Sequence, residues 1–133
     1  MLIENRTDYI KYRFQRAVES YEEALILAKN NRWNAVVNRL YYACFYAVIS
    51  LLLKNDIETQ THDGARRQFS MNFVKTEKVG LKHGKLFSKL FDFRQKGDYG
   101  DLYDFDEETV EPLIEQVDDF LKTIDNLIIS KSL

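Results

Sequence analysis

Trp33-Asn34-Ala35-Val36-Val37-Asn38-Arg39-Leu40-Tyr41-Tyr42-Ala43-Cys44-Phe45-Tyr46-Ala47-Val48-Ile49-Ser50-Leu51-Leu52-Leu53 is the stretch on which the fold turns. Within it Trp33, Val36, Val37, Leu40, Tyr41, Cys44, Ala47, Val48, Leu51 and Leu52 recur at the spacing of a helix with one continuous apolar face. A turn of about 100° per residue carries Asn38, Arg39, Tyr42, Phe45, Tyr46 and Ile49 to the other side. Rings mixed with polar groups do not suit a solvated face, so the stretch predicts a core helix with two contact surfaces. Asn38 and Arg39 interrupt the apolar run before it reaches the roughly 18 to 20 clean residues of a membrane span. A soluble domain with no membrane partner is therefore expected.

On the N-terminal side, Phe14, Ala17, Val18, Tyr21, Ala24, Leu25 and Ala28 mark an amphipathic helix that Asn30-Asn31 breaks. On the C-terminal side a loop is expected around residues 55–61. A short helix then runs from Asp63 to about Val74, with Thr61 placed to cap it and Phe69 and Phe73 on one side. After Gly80, Leu81, Leu86, Phe87, Leu90 and Phe91 line a further helix ending at Gly97. An acidic loop leads to a last helix from Asp106, which gathers Glu107, Glu108 and Glu111 at its positive end and tolerates Pro112 in its first turn or two. With one Pro, five Gly and no visible repeat, four long helices and one short one predict an all-α, antiparallel up-and-down bundle. The 133 residues, 45% of them apolar, are enough for a single domain over residues 1–133 that needs no disulfide or metal. Cys44, alone inside the apolar run, reads as a packing residue. The first residues lack a basic stretch followed by a long apolar core, so a cytoplasmic address is expected.

The net charge of −2 conceals an asymmetry. Residues 62–96 hold nine Lys or Arg against three Asp or Glu, and residues 98–133 hold two against eleven. Two readings are open: the segments neutralise each other in the fold, or the basic one presents a face to a polyanion or partner.

No phosphate loop, zinc-type Cys/His spacing or serine elbow is present. What remains is a scattered polar set of Asn38, Arg39, His62, Asp63, Arg94, Asp98 and Tyr99. Each has a plain structural role open to it. Arg39 suits an ion pair at the bundle edge, His62 a helix cap, and Asp98 a partner for Arg94. Tyr41, Tyr42 and Tyr46 suit core or interface packing as well as base stacking. His83, between lysines, is expected to be exposed.

Three motifs in order, Asn38-Arg39-Leu40-Tyr41-Tyr42-Ala43-Cys44-Phe45-Tyr46-Ala47, Thr61-His62-Asp63-Gly64 and Phe91-Asp92-Phe93-Arg94-Gln95-Lys96-Gly97-Asp98-Tyr99, together resemble the HEPN family, in particular its small standalone prokaryotic members. The resemblance spans roughly residues 13–127. It implies a helical bundle that forms a homodimer with a cleft at the interface and needs no cofactor. Many HEPN proteins are metal-independent ribonucleases, often toxins paired with a minimal nucleotidyltransferase, and their signature is an Arg followed after four to six residues by His. Arg94 matches that Arg, but Gln95-Lys96-Gly97-Asp98-Tyr99-Gly100-Asp101 contains no His. Cleavage at a 2′-hydroxyl needs one group to take a proton and another to give one, and a histidine near pKa 6.5 suits both. The missing His thus implies a module that binds RNA, a nucleotide or a nucleotidyltransferase through Asn38, Arg39, Tyr42, Asp98 and Tyr99, with weak or no cleavage. An active ribonuclease using Arg94 with His62 as the replacement imidazole is the alternative. A purely structural helical adaptor is the third.

Overall fold

The computed structural model describes the backbone of residues 3–99 and 104–130, and the side chains of 5–96 and 104–130. Five α-helices lie within these bounds: α1 Ile3–Lys29, α2 Trp33–Lys54, α3 His62–Phe69, α4 Leu81–Tyr99 and α5 Glu107–Ile129. A π-helical turn, Ser70–Val74, extends α3. No strand occurs among the described residues, so the chain is the all-α bundle of four long helices and one short one that the sequence predicts.

The two-faced helix is α2. Val36, Val37, Leu40, Tyr41, Cys44, Ala47, Val48, Leu51 and Leu52 are buried, whereas Asn38, Arg39, Tyr42, Phe45, Tyr46 and Ile49 are half-buried. It packs against α1, α3, α4 and α5 and so forms the axis of the molecule. By length and hydropathy α2 would also pass for a membrane span despite Arg39, but here its apolar face is enclosed by its neighbours. Burial pushes the Cys44 thiol well above its ordinary value, which suits packing and not nucleophilic chemistry.

Helix ends set the directions. At the end of α1, Asn31 (φ 57°) takes the left-handed conformation, with Arg32 N–H bonded to Leu27 O and Asn31 N–H to Ala28 O. This is a Schellman cap, and its turn of residues 30–32 folds α2 back along α1. The pattern repeats at the end of α2, where Asp56 (φ 61°) donates to Leu53 O and Ile57 to Leu52 O. Deep between the first two helices the buried Ser50 hydroxyl donates to Ile10 O at 2.6 Å, so its polar atom is satisfied where water is excluded. Helix α1 begins eleven residues before Phe14, the first periodic residue; among the described side chains of its opening turns, residues 5–13, Ile10 is the buried one and no regular stripe forms.

Thr61 caps α3 as expected, accepting from Gly64 N–H at 2.8 Å, and Asp106 caps α5 by accepting from Thr109 N–H at 2.9 Å. Asn34 ties the segment before α5 to the start of α2, accepting from Phe105 N–H at 2.8 Å and donating to Asp104 at 3.1 Å. One expectation is corrected. His83 is not exposed but 5% accessible, set edge-on against Phe120 with Nε2 3.9 Å from Asp119. Its position in the first turn of α4 points it into the seam with α5, and the flanking Lys82 and Lys85 carry the exposure that their neighbourhood suggests.

Candidate functional site

Tyr41 sits on α2 where the core face meets the second face, and its buried ring is the hub of an aromatic cluster. It stacks on Phe87 of α4 at 6.0 Å and on Phe45, one turn along α2, at 5.9 Å. The chain leaving the Schellman turn at Asp56 runs back beside α2 and starts α3 at His62. The imidazole of His62 lies flat on Phe45 at 4.1 Å and 15°. Its Nδ1 is 2.7 Å from the Tyr41 hydroxyl. His62 is therefore not a helix cap; Thr61 fills that role, and His62 is turned onto α2.

From the other side α4 delivers Arg94, whose guanidinium carbon lies 5.2 Å from the centre of the Tyr41 ring and 5.4 Å from that of Tyr42. Cation–ring contacts of this kind contribute about 0.5–2 kcal/mol depending on desolvation. Three elements distant in sequence thus place Arg94, His62, Tyr41, Tyr42 and Phe45 against one another. Burial pushes the Tyr41 hydroxyl far above its ordinary range, and the Arg94 charge offsets part of that shift. Burial lowers His62 below 6.5, and the Arg94 charge lowers it further. The imidazole is accordingly neutral at pH 7, with one N–H and one lone pair. Among the described residues no three His, Cys, Asp or Glu side chains converge as a metal cage would need.

Beside His62 the surface opens into a cavity of about 350 Å³ between α1, α2 and the loop before α3, lined by Arg13, Phe45, Ile49 and Thr59 among others. Arg13 lies over Tyr9, and Arg16 over Tyr46 at 5.6 Å. Two further cations of α1 thereby border the second face of α2. On the α3 side Arg66 covers Phe91 at 4.4 Å and is tied to Asp63 at 2.8 Å.

The remaining candidates divide. Tyr42 joins the cluster through Arg94. Asn38 is half-buried, one turn before Tyr41 and Tyr42 on α2. Arg39 instead forms an ion pair with Glu23 of α1 at 3.5 Å, each side chain substantially exposed, which is the bundle-edge role open to it from the sequence. Asp98 and Tyr99 fall in the last turn of α4, and their side chains lie outside the described residues. Sequence reasoning missed Tyr41 and Phe45 as site residues, since both fit the apolar pattern of α2. It also missed Arg13, Arg16 and Arg66, whose signal, an Arg three or four residues from an aromatic ring or facing one across helices, is too common to single out.

The chain matches the model of the HEPN domain over residues 10–127. A UPF0332 protein of Thermotoga maritima is 42% identical to it over 119 residues, covering 90% of each chain. A protein of Methanocaldococcus jannaschii named as a candidate toxin is 28% identical over 119 residues, covering 90% of this chain and 81% of its own. A second one of the same organism, also named as a candidate toxin, is 31% identical over 83 residues, or 62% of each chain. With the family model covering nearly the whole bundle, including the motifs that carry Tyr41, His62 and Arg94, the chain belongs to the HEPN domain family.

Proposed function

We propose that this HEPN domain is an RNA-binding module, acting as a homodimer through the second face of α2, whose cleavage activity is weak or absent. The observation that carries the reading is the Arg94–Tyr41–His62 contact set, which holds one guanidinium and one imidazole and no second group titrating near neutrality among the described residues. Arg94 offers a planar donor fork to a phosphate, and the half-buried Tyr42 and Tyr46 rings offer stacking surface to unpaired bases. The tautomer of His62 decides its role. When the Tyr41 O–H donates to Nδ1, the hydrogen of the neutral ring is on Nε2, a donor to phosphate. When Nδ1–H donates to the Tyr41 oxygen, Nε2 carries a lone pair and is a base. Even as a base it supplies half of the transfer, because the departing 5′-oxygen needs a proton that Tyr41, with its raised pKa, gives up poorly. A minimal nucleotidyltransferase, the protein partner that the family resemblance implies, would meet the same face.

The test is titration of fluorescent single-stranded RNA with the wild-type protein, Arg94→Ala and His62→Ala. Loss of a charged hydrogen-bonding group is expected to weaken binding about 10- to 100-fold for Arg94→Ala, with intact RNA recovered throughout. A wild-type protein that bound neither RNA nor nucleotide would end this reading.

A second reading, a ribonuclease using Arg94 with His62, is favoured by their meeting on one tyrosine and by the candidate-toxin names of two relatives. It requires RNA fragments on a denaturing gel that vanish with both Arg94→Ala and His62→Ala. Equal decay in all three samples rejects it.

A further inference from the structure

The cavity beside His62 carries two unlike charges that do not neutralise each other. Phe45, Ile49, Leu53 and Ile57 line it, each half-buried, so apolar surface is left open between α1, α2 and the loop before α3. Arg13 enters its wall from α1 and Glu58 from the loop. Arg13 is half-buried, and the side chain it bonds is Tyr9, whose hydroxyl accepts from Nε at 2.9 Å and from one terminal nitrogen. A guanidinium has five N–H donors in a planar fork, so donors remain to spare. Among the described residues neither Arg13 nor Glu58 forms an ion pair, with the other or with a third group. At about 350 Å³ the cavity lies toward the small end of the range of small-molecule sites, about 300–1,000 Å³.

Cavity and Arg94 site have residues in common. Phe45 and His62 line the cavity, and the same imidazole meets the hydroxyl of Tyr41, whose ring carries Arg94. A nucleotide with its phosphate at Arg94 and His62 thus has the cavity open beside one of its own contacts. One guanidinium and one carboxylate give the walls no net charge to draw in a phosphate chain. They suit a flat neutral ring with acceptors on one edge and donors on the next. Guanine is the base with that pattern: O6 and N7 accept from an arginine fork, and N1–H and the 2-amino group are adjacent donors to a carboxylate. Adenine puts an amino donor where the arginine needs an acceptor, and uracil and cytosine lack the adjacent donor pair.

We propose that this cavity is a guanine-selective base pocket for the RNA held at Arg94 and His62, with Arg13 donating to O6 and N7 and Glu58 accepting from N1–H and the 2-amino group. The inference rests on the RNA-binding reading of that site and adds the base that it selects.

The experiment titrates the full chain with a fluorescent oligouridylate of about six residues bearing one central guanosine. Matched probes carry adenosine, inosine, which lacks the 2-amino group, or a deazaguanosine with carbon in place of N7. A bidentate base contact discriminates by about 1–3 kcal/mol, so the wild type should prefer guanosine to adenosine roughly 5- to 100-fold. Inosine and the deazaguanosine each lose a hydrogen bond to a charged group, and each should bind about 10-fold more weakly than guanosine. Glu58→Gln should bind guanosine and inosine alike while still sensing the loss of N7, and Arg13→Gln should do the converse. These ratios are read within one variant, so a reduced folded fraction does not mimic them. Arg94→Ala tests the parent reading and should weaken all four probes together, with their ratios kept. If the wild type binds all four equally and Arg94→Ala weakens them, the pocket falls and the parent reading stands; a wild type that binds none ends both. A guanosine preference that persists unchanged in Glu58→Gln and Arg13→Gln also overturns the pocket. Equal binding of the probes, together with a monomer on Ile49→Trp, which fills the cavity, would assign the cavity to a second copy of the chain.

Discussion

Tyr41 joins structure to chemistry through a single oxygen. Its ring is fully buried, yet its hydroxyl reaches His62 Nδ1 and so fixes which edge of the imidazole faces outward. Tyr41→Phe keeps the ring contacts with Phe87 and Phe45 and removes the hydroxyl's bond to His62 together with its interaction with Arg94. The expected cost is about 1–3 kcal/mol in urea unfolding, the net worth of a neutral hydrogen bond and an interaction with a charged group, each beside a half-buried partner. RNA affinity should fall less than in Arg94→Ala, because the cation remains; an equal fall would mean that imidazole orientation, not the Arg94 charge, dominates binding. From the sequence Tyr41 reads as one more core residue of α2. Its meeting with His62 depends on Asp56 adopting a left-handed conformation that glycine usually marks, so the turn that aims α3 at α2 carries no sequence flag. Arg94, by contrast, stands out at once as a family signature residue, and its neighbours in space do not.

At the level of the helix, what repeats is legible and what is singular is not. The two faces of α2 follow from spacing alone, and so do the caps at Thr61 and Asp106, because helical period and hydroxyl or carboxylate capping are local rules. The π-helical turn is different. A single helix from Asp63 to Val74 is the simpler expectation, but α3 ends at Phe69 and widens, with Lys75 N–H reaching back five residues to Ser70 O. The widening keeps Phe69 and Phe73 both buried and stacked at 6.1 Å, a demand set by α4 and α5 across the core. It also brings Val74 against Gly84, where a Cβ would stand 3.0 and 3.1 Å from the two valine methyls. Helix propensity favours alanine at position 84 by about 1 kcal/mol, while overpacking costs about 1–3 kcal/mol. Gly84→Ala should therefore destabilise the wild type by about 1 kcal/mol and stabilise the Val74→Ala background, a reversal that chemical unfolding of the four proteins of the cycle would reveal.

Across the whole molecule, both histidines are held below their ordinary pKa, and this makes the bundle acid-sensitive well above the carboxylate range. For His83 burial is the main cause, Lys82 adds to it and Asp119 opposes it; for His62 burial and then Arg94 do the same work. A histidine whose folded pKa is depressed binds fewer protons folded than unfolded, so unfolding takes up protons and stability rises with pH. The contribution is complete above the unfolded value of about 6.5 and shrinks as pH falls below it, until the folded pKa is passed. The midpoint of urea unfolding should thus be lower at pH 5.5 than at pH 7.5, and His83→Gln should flatten that dependence. An unchanged dependence in His83→Gln together with His62→Gln would assign the acid sensitivity to carboxylates instead. RNA separates the two histidines. A phosphate held beside Arg94 stabilises a protonated His62 and raises its pKa, so saturating RNA should diminish the His62 share of the acid loss and leave the share of His83, in the seam of α4 and α5, unchanged.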